Sequence, residues 1–191
     1  MADEGTLDVV VVCGSLRKGS YNAALARALP ALTPEGMRLI DAPRVDTMPH
    51  YNYDDQAASG FPPSVMAFAE AIRSADGVII VSPEYNWTIP GTLKNAIDWV
   101  SRMKEQPFKD KPVALQSVSP ALLGGSRMQY HLRQSLTSID ALIFGRPEVI
   151  VTFAPQKFDE KTLELKDQPT RDMIKLQLAG FAAFIRKVGG K

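Results

Sequence analysis

The sequence predicts an α/β fold in which a five-stranded parallel sheet carries helices on both faces, as a three-layer sandwich. The first observation behind this prediction is that strand-like and helix-like segments alternate from residue 7 to residue 188. The second is that the strand-like segments, such as GVIIV at 77–81, are continuous apolar runs, which is typical of parallel strands buried on both faces. The third is that polar loops rich in Gly, Ser, Asn and Pro follow the first, third and fourth strands, where such sheets bind their ligands.

The elements follow in a regular order along the chain. We predict five strands from their apolar, β-branched runs, at residues 7–12, 38–41, 77–81, 112–117 and 147–152. Helical spacing of apolar residues and flanking Pro or Gly predict five helices, at residues 22–29, 63–74, 91–102, 125–138 and 170–188. The stretches 43–62 and 154–169 are rich in Pro, Asp or Gln and are predicted to be surface loops. Because no repeat or linker interrupts this pattern, we expect residues 1–191 to form one domain.

Composition excludes several classes of protein. The 191 residues carry a formal net charge of +1, which offers no field for nucleic acid or an anionic membrane. The chain has one cysteine and two histidines, so we expect neither a disulfide framework nor a metal site. The N-terminal MADEGTLD is acidic and unlike a signal peptide, and no apolar run approaches the roughly 20 residues of a membrane helix. We therefore expect a cytoplasmic protein that is not inserted in a membrane.

The loop after the first strand, within VVVVCGSLRKGSYN at residues 9–22, has the composition of an anion site. It approaches a nucleotide-binding P-loop, with Gly14 and Gly19, but Ser20 stands where that motif requires Lys. Serine hydroxyls, the Asn22 amide, a helix N-terminus and Arg17 suit one phosphate monoester. Since no metal-binding Asp follows the third strand, we predict that the phosphate is held and not transferred. The alternative is that Ser20 or Asn22 only caps a helix.

The loops after the third and fourth strands suit a flat ring. SPEYNWTIPG, at residues 82–91, brings two aromatic side chains and an amide together in a rigid, proline-flanked loop. Ser117, Ser119, Gly124 and Gly125 would let the backbone approach the opposite edge of such a ring. For Trp87 an exposed or interfacial role is equally open. Glu84 is expected to be a loop carboxylate or a helix-start charge and not a catalytic base.

Three motifs, GSLRKGSYN, PEYNWTIPGTLKNAIDW and GGSRMQYHLRQ, resemble those of the NADPH-dependent FMN reductases, in particular the bacterial quinone and chromate reductases of that family. The resemblance implies a flavodoxin-like fold with strand order 2-1-3-4-5, tightly but non-covalently bound FMN, and NADPH or NADH as co-substrate. Ala121 departs from the family pattern, which often has Gly at that position. By resemblance, the cofactor-binding positions fall in the three loops: Ser15, Arg17, Ser20, Tyr21 and Asn22; Pro83, Glu84, Tyr85 and Asn86; and Ser117 and Gly124.

The resemblance also implies an activity, namely ping-pong hydride transfer from NAD(P)H through FMN to quinones, with chromate, ferric or azo compounds as further acceptors. The flavin carries this chemistry, so we expect no catalytic side chain. For Arg102, at the end of the predicted helix 91–102, contact with an anionic acceptor or a cofactor phosphate and simple helix stabilisation are equally open. A flavodoxin-like electron carrier and a non-catalytic flavin-binding regulatory protein remain alternatives, although carriers are usually strongly acidic.

Two further expectations concern assembly and the cysteine. Members of the resembled family form dimers and often tetramers, and the segment 127–133 is rich in residue types enriched at interfaces. We therefore expect a homodimer or homotetramer with Arg127, Tyr130 and Glu148 at a subunit contact. The alternative is that these are ordinary exposed residues. Cys13, at the end of the first strand, is expected to be a small buried hydrophobe without a redox role.

Overall fold

The computed structural model describes residues 5–189 and has a parallel sheet at its centre. The strand order is β2-β1-β3-β4-β5, with β6 also paired to β4, so the predicted flavodoxin-like order is confirmed. The first four residues of the acidic N-terminal segment lie outside the described range. The strands are β1 (Leu7–Cys13), β2 (Met37–Asp41), β3 (Gly77–Val81), β4 (Pro112–Val118), β5 (Leu142–Ile143) and β6 (Val149–Val151).

The last position of the sheet is shared by two short strands. β5 pairs with the start of β4, at Pro112 and Val113, and β6 pairs with its end, at residues 116–118. The predicted fifth strand corresponds to β6, and the two-residue β5 was not predicted because so short a strand leaves no periodic pattern. Pro147 lies between them and has no backbone N–H to donate to a ladder, which is consistent with the interruption.

Five of the six α-helices in residues 5–189 were predicted, to within two residues at every end. The exception, α2, falls in the segment 43–62 that was predicted to be a loop. None of its residues is buried, so it has no apolar periodicity. Its N-cap is Asn52, whose side-chain oxygen accepts from the Asp54 N–H. The helices are α1 (Tyr21–Ala28), α2 (Tyr53–Ser59), α3 (Pro63–Ser74), α4 (Gly91–Val100), α5 (Ser126–Thr137) and α6 (Gln168–Gly189).

The sheet divides the core into two layers. Val10 and Val12 of β1 face the layer formed by α3, α4 and α5, whereas Val9 and Val11 face α1 and α6. Every residue of β3 and β4 is buried, as the continuous apolar runs predicted. Within residues 5–189, no helix combines the length and the apolarity needed to cross a membrane. The carboxyl ends of β1, β3 and β4 lie side by side at one edge of this framework, so the three loops predicted to bind a ligand meet there.

Candidate active site

The loop after β1 is fastened to the end of β3. The Gly14 N–H donates to the Val81 carbonyl at 2.9 Å, which continues the ladder for one residue beyond the strand. A Cβ atom on Gly14 would lie 2.6 Å from the Ser82 hydroxyl oxygen, so the close approach of the two loops requires glycine there. A Cβ on Gly19 would meet nothing within 4 Å. Of the two glycines at P-loop-like positions, packing therefore requires glycine only at Gly14.

The same loop presents backbone donors around the start of α1. The Ser20 hydroxyl oxygen accepts from the N–H groups of Asn22 and Ala23 at 3.1 and 3.4 Å, so Ser20 is a helix N-cap, as the alternative interpretation held. The backbone N–H groups of residues 15–19 have no acceptor within the described part of the chain. Arg17 and Lys18 are exposed beside them. Successive free N–H groups, a helix N-terminus and flanking cations together form a concavity suited to an anion.

Asn22 connects this loop to β4. Its side-chain NH2 donates to the Val118 carbonyl at 2.9 Å, and its side-chain oxygen accepts from the Val118 N–H at 3.0 Å. Asn22 is only 4% exposed, so its amide is used within the protein and is not directed at a ligand. Asn22 therefore positions the anion loop against the third loop, a role different from the direct phosphate contact that its residue type suggested. Tyr21 is held by its ring contact with Phe158, at 5.3 Å between centroids.

The loop after β3 contains a tight aromatic hairpin, which we define as residues 85–88. Tyr85 and Thr88 exchange two backbone hydrogen bonds, at 3.1 and 3.0 Å. The two residues between them, Asn86 and Trp87, have φ values of 48° and 68°. This left-handed backbone is common for Asn and unusual for a residue as bulky as Trp. The Tyr85 and Trp87 side chains are 50% and 66% exposed, so the hairpin stands out from the surface.

Glu84 and Arg127 fasten the aromatic hairpin to the start of α5. One carboxylate oxygen of Glu84 accepts from the Met128 N–H at 3.1 Å, so Glu84 neutralises a helix N-terminus, as expected for a helix-start charge. The Arg127 guanidinium lies 4.0 Å from the other oxygen and 4.0 Å from the centroid of the Trp87 ring. One turn further along α5, a ring nitrogen of His131 lies 2.8 Å from the Thr88 hydroxyl.

Hydrogen bonds from buried side chains fix the backbone of the third loop, which follows β4. The fully buried Ser117 hydroxyl donates to the Gly124 carbonyl at 2.7 Å and accepts from the Gln129 side chain at 2.8 Å. Gly124 and Gly125 have φ values of 57° and 93°, and a Cβ on Gly124 would lie 2.7 Å from Ile150. The two glycines thus let the chain turn from β4 into α5. Gln129 had not been recognised, because a single Gln on an amphipathic helix carries no signal of its own.

The exposed part of the third loop is apolar. Leu122 and Leu123, in the part of the loop that precedes α5, are both exposed. Ala121 is not among the residues with positive φ, so the departure from glycine at this position is compatible with the observed backbone.

Not all predicted site residues come together. α4 returns from the carboxyl edge of the sheet to the start of β4, so Arg102, just beyond its end, lies away from the three loops. Its guanidinium lies 5.8 Å from the Tyr51 ring and its Nε donates to the Ser101 hydroxyl. Glu148 pairs with Arg133 at 3.1 Å, and Tyr130 is exposed on α5. Among the described residues, no cluster of three or more metal-ligating side chains is present.

Residues 7–156, which include all three loops, match the model of one protein family, the NADPH-dependent FMN reductases. The chain belongs to this family. FMN reductases take electrons from NAD(P)H and use FMN as their flavin, so the predicted family, enzyme class and cofactors are confirmed.

Several relatives align over almost the whole chain. A quinone reductase of Escherichia coli is 48% identical over 182 residues, which cover 95% of this chain and 97% of that protein. An NAD(P)H-dependent FMN reductase of Pseudomonas aeruginosa is 42% identical over the full length of both proteins. Among solved structures, the flavoenzyme NAD(P)H:(acceptor) oxidoreductase FerB of Paracoccus denitrificans is similar, with a TM-score of 0.85 and 30% identity over 95% of this chain and 98% of FerB.

Proposed function

We propose that this FMN reductase family member is an NAD(P)H:quinone reductase that works by a ping-pong mechanism. The observation that carries the proposal is the meeting of an anion loop, an aromatic hairpin and a glycine-turned loop at one edge of the sheet, linked by Asn22 and Glu84. The names of the E. coli relative and of an NADPH:quinone oxidoreductase of Arabidopsis thaliana, 37% identical over 187 residues, support quinones as acceptors.

The anion loop is proposed to hold the FMN phosphate. The free N–H groups of residues 15–19 and the Arg17 guanidinium supply donors for one phosphate, and FMN carries only one. This is the physical reason that Ser20 suffices where a P-loop has Lys. We propose that the phosphate is surrounded by residues that either touch it or fix the loop around it, namely Ser15, Arg17, Ser20, Tyr21 and Asn22.

The flavin ring is proposed to lie between the second and third loops. The flavin supplies the redox chemistry, so the chain has to hold the ring flat and leave one face accessible. Glu84 and Ser117 act through the backbone they fix, since both use their side chains within the protein. The exposed aromatic and leucine side chains provide apolar walls for a planar acceptor. The residues assigned to this part of the site are Pro83, Glu84, Tyr85 and Asn86 in the second loop and Ser117 and Gly124 in the third.

A single accessible ring face explains the proposed order of events. If NAD(P)H and the acceptor use the same face, the oxidised nicotinamide must leave before the acceptor enters, and double-reciprocal plots are parallel. The same openness would admit chromate, ferric and azo compounds as slower acceptors. Arg102 is not part of this site in one subunit, because it lies at the opposite end of α4.

The proposal is tested with purified protein under nitrogen. NADPH should bleach the bound flavin, and a quinone should restore its colour over many turnovers without a partner protein. A protein that passes single electrons only to another protein would show no such turnover, and a regulatory flavoprotein would be reduced slowly or not at all. Release of FAD, or of no flavin, on denaturation would contradict the FMN assignment. Intersecting double-reciprocal plots would contradict the shared face.

We also propose that residues 1–191 form one domain and that the protein acts in the cytoplasm, where NAD(P)H is supplied.

We propose further that the protein assembles as a homodimer or homotetramer. Tyr130 on α5 and Leu122 and Leu123 in the loop before it are exposed, and we propose that they contribute to the subunit contact together with Arg127 and Glu148. Light scattering of the 20.9 kDa chain should give a multiple of that mass. Tyr130→Ala should shift the assembly towards smaller species and leave the flavin content unchanged. A monomer at micromolar concentration would overturn the proposal.

A further inference from the structure

A cavity of about 470 Å³ lies on the other side of the anion loop, between α1 and the segment that follows β2. This volume is in the range of small-molecule sites. We call it the α1–β2 cavity. It opens at the carboxyl ends of β1 and β2 and includes Ser15 and Leu16 of the anion loop, but no residue of the second or third loop. Its walls consist mainly of small apolar side chains, from Ala23, Ala26, Pro30, Ala42 and Pro43.

Four charged residues line this cavity: Arg27, Asp41, Arg44 and Asp46. Asp41 is the last residue of β2, and Arg27 lies in the last turn of α1. Neither side chain has an ion-pair or hydrogen-bond partner within residues 5–189. The neighbouring Arg44 and Asp46, in contrast, pair with each other through two hydrogen bonds at 2.9 and 2.5 Å. The cavity therefore offers one free carboxylate and one free guanidinium above apolar walls.

We propose that the α1–β2 cavity binds an adenosine 5′-phosphate group. The small apolar side chains leave a slot for a flat purine, and the Arg27 guanidinium is suited to a phosphate. Asp41 lies where nucleotide-binding parallel sheets place the carboxylate that accepts from ribose hydroxyls, at the end of the strand beside the first strand. The group has two sources, the adenosine half of NAD(P)H or a free adenine nucleotide. Binding of the adenosine half of NAD(P)H rests on the proposed function, whereas binding of an adenosine 5′-phosphate group to the cavity does not.

The single cysteine of the chain provides a direct measure of occupancy. Cys13 lines the cavity, and its thiol lies 3.6 Å from the Ser15 carbonyl, to which it donates. Burial raises the pKa of the Cys13 thiol, so alkylation should be slow at neutral pH and should accelerate as the pH rises. A ligand in the cavity would cover this thiol. The alkylation rate can therefore be followed by mass spectrometry without any enzymatic turnover.

The test uses the FMN-loaded protein, iodoacetamide at alkaline pH and 5′-AMP as the probe. We expect millimolar 5′-AMP to slow alkylation of Cys13 and calorimetry to detect binding. Arg27→Ala and Asp41→Ala should each weaken binding by about tenfold or more, the factor for losing a hydrogen bond to a charged group. The matched control is Arg38→Ala. Arg38 lies on β2, like Asp41, but its exposed ion pair is with Asp8 of β1, so its loss should leave AMP binding unchanged. Absence of AMP binding, or binding unaffected by both variants, would overturn the proposal.

Steady-state kinetics then separate the two sources. If the cavity holds the adenosine half of the reductant, 5′-AMP competes with NADH, and Asp41→Ala raises KM for NADH but not for reduced nicotinamide mononucleotide, which lacks adenosine. If it holds a free nucleotide, 5′-AMP changes kcat with both reductants. If 5′-AMP protects Cys13 but the protein does not oxidise NAD(P)H, the proposed function is contradicted and nucleotide binding in the cavity is supported. If the protein turns over quinones but 5′-AMP does not protect Cys13, the proposed function is supported and nucleotide binding in the cavity is contradicted.

Discussion

Replacing Asn22 with Ala should reveal how strongly the anion loop depends on its attachment to β4. Asn22 makes two hydrogen bonds to the backbone of Val118, and both residues are almost fully buried. Alanine would leave the N–H and C=O of Val118 without partners. At about 1–3 kcal/mol for each of these two buried unpaired groups, the free energy of unfolding should fall by about 2–6 kcal/mol.

The Asn22→Ala substitution should also weaken FMN binding. Because Asn22 is the second residue of α1, its release would loosen the helix N-terminus that flanks the free N–H groups of residues 15–19. We expect the Kd for FMN to rise by about tenfold or more, which corresponds to about 1.4 kcal/mol. Urea unfolding of the apoprotein measures the stability change, and FMN fluorescence titration without urea measures the affinity of the folded protein.

Asn95→Ala is the matched control for this experiment. Asn95 also makes two backbone hydrogen bonds, from the Tyr51 N–H at 2.8 Å and to the Pro49 carbonyl at 2.9 Å, but it joins α4 to a loop away from α1. It should cost less stability, because its bonds are partly exposed, and it should leave FMN affinity unchanged. If Asn22→Ala left FMN affinity equal to that of the control, the proposed coupling between β4 and the anion loop would be wrong.

Three further predictions follow from individual contacts. Arg17→Ala should weaken FMN binding by about tenfold, the factor for losing a charge-assisted hydrogen bond, and excess FMN should restore the reductase rate; unaltered affinity would remove Arg17 from the phosphate site. Gly124→Ala should lower the melting temperature markedly, because φ is 57° and the new Cβ would meet Ile150 at 2.7 Å, whereas Gly19→Ala should change it little. The Thr170 hydroxyl and N–H lower the pKa of Asp167, so this group stabilises the fold above its unfolded pKa of about 4 and ceases to do so as the pH falls through its lower folded pKa. Asp167→Asn should accordingly flatten the acid limb of a stability–pH profile, and an unchanged limb would contradict this assignment.

The fold was largely predictable because its strands are buried on both faces. A segment such as β3, with all five residues buried, can only be a continuous apolar run, and the sequence shows it as one. α2 escaped prediction for the opposite reason, since it buries no residue and its sequence carries no helical periodicity. β5 is too short for any pattern. Burial leaves the clearest pattern in a sequence, and α2 and β5 lack such a pattern.

The candidate site was predictable in its location but not in the duties of its side chains. Residue types and the strand order predicted that the three loops meet at one edge of the sheet, and the structure places the ends of β1, β3 and β4 side by side. The partners of Asn22, Glu84 and Ser117 could not be foreseen, because they depend on contacts between residues far apart in the chain, 96 positions for Asn22 and Val118. A polar residue in a loop has the same sequence signature whether it touches a ligand or supports the backbone that does.

The interrupted last position of the sheet has a consequence for the protein's solubility at high concentration. An uninterrupted edge strand offers a row of unpaired N–H and C=O groups on which a strand of another molecule can add, the first step towards fibrous aggregates. Here the outer edge of β4 is covered by β5 and β6, which have two and three residues, and the gap between them contains Pro147. Neither is long enough to template a foreign strand, so this edge of the sheet resists extension from one molecule into the next.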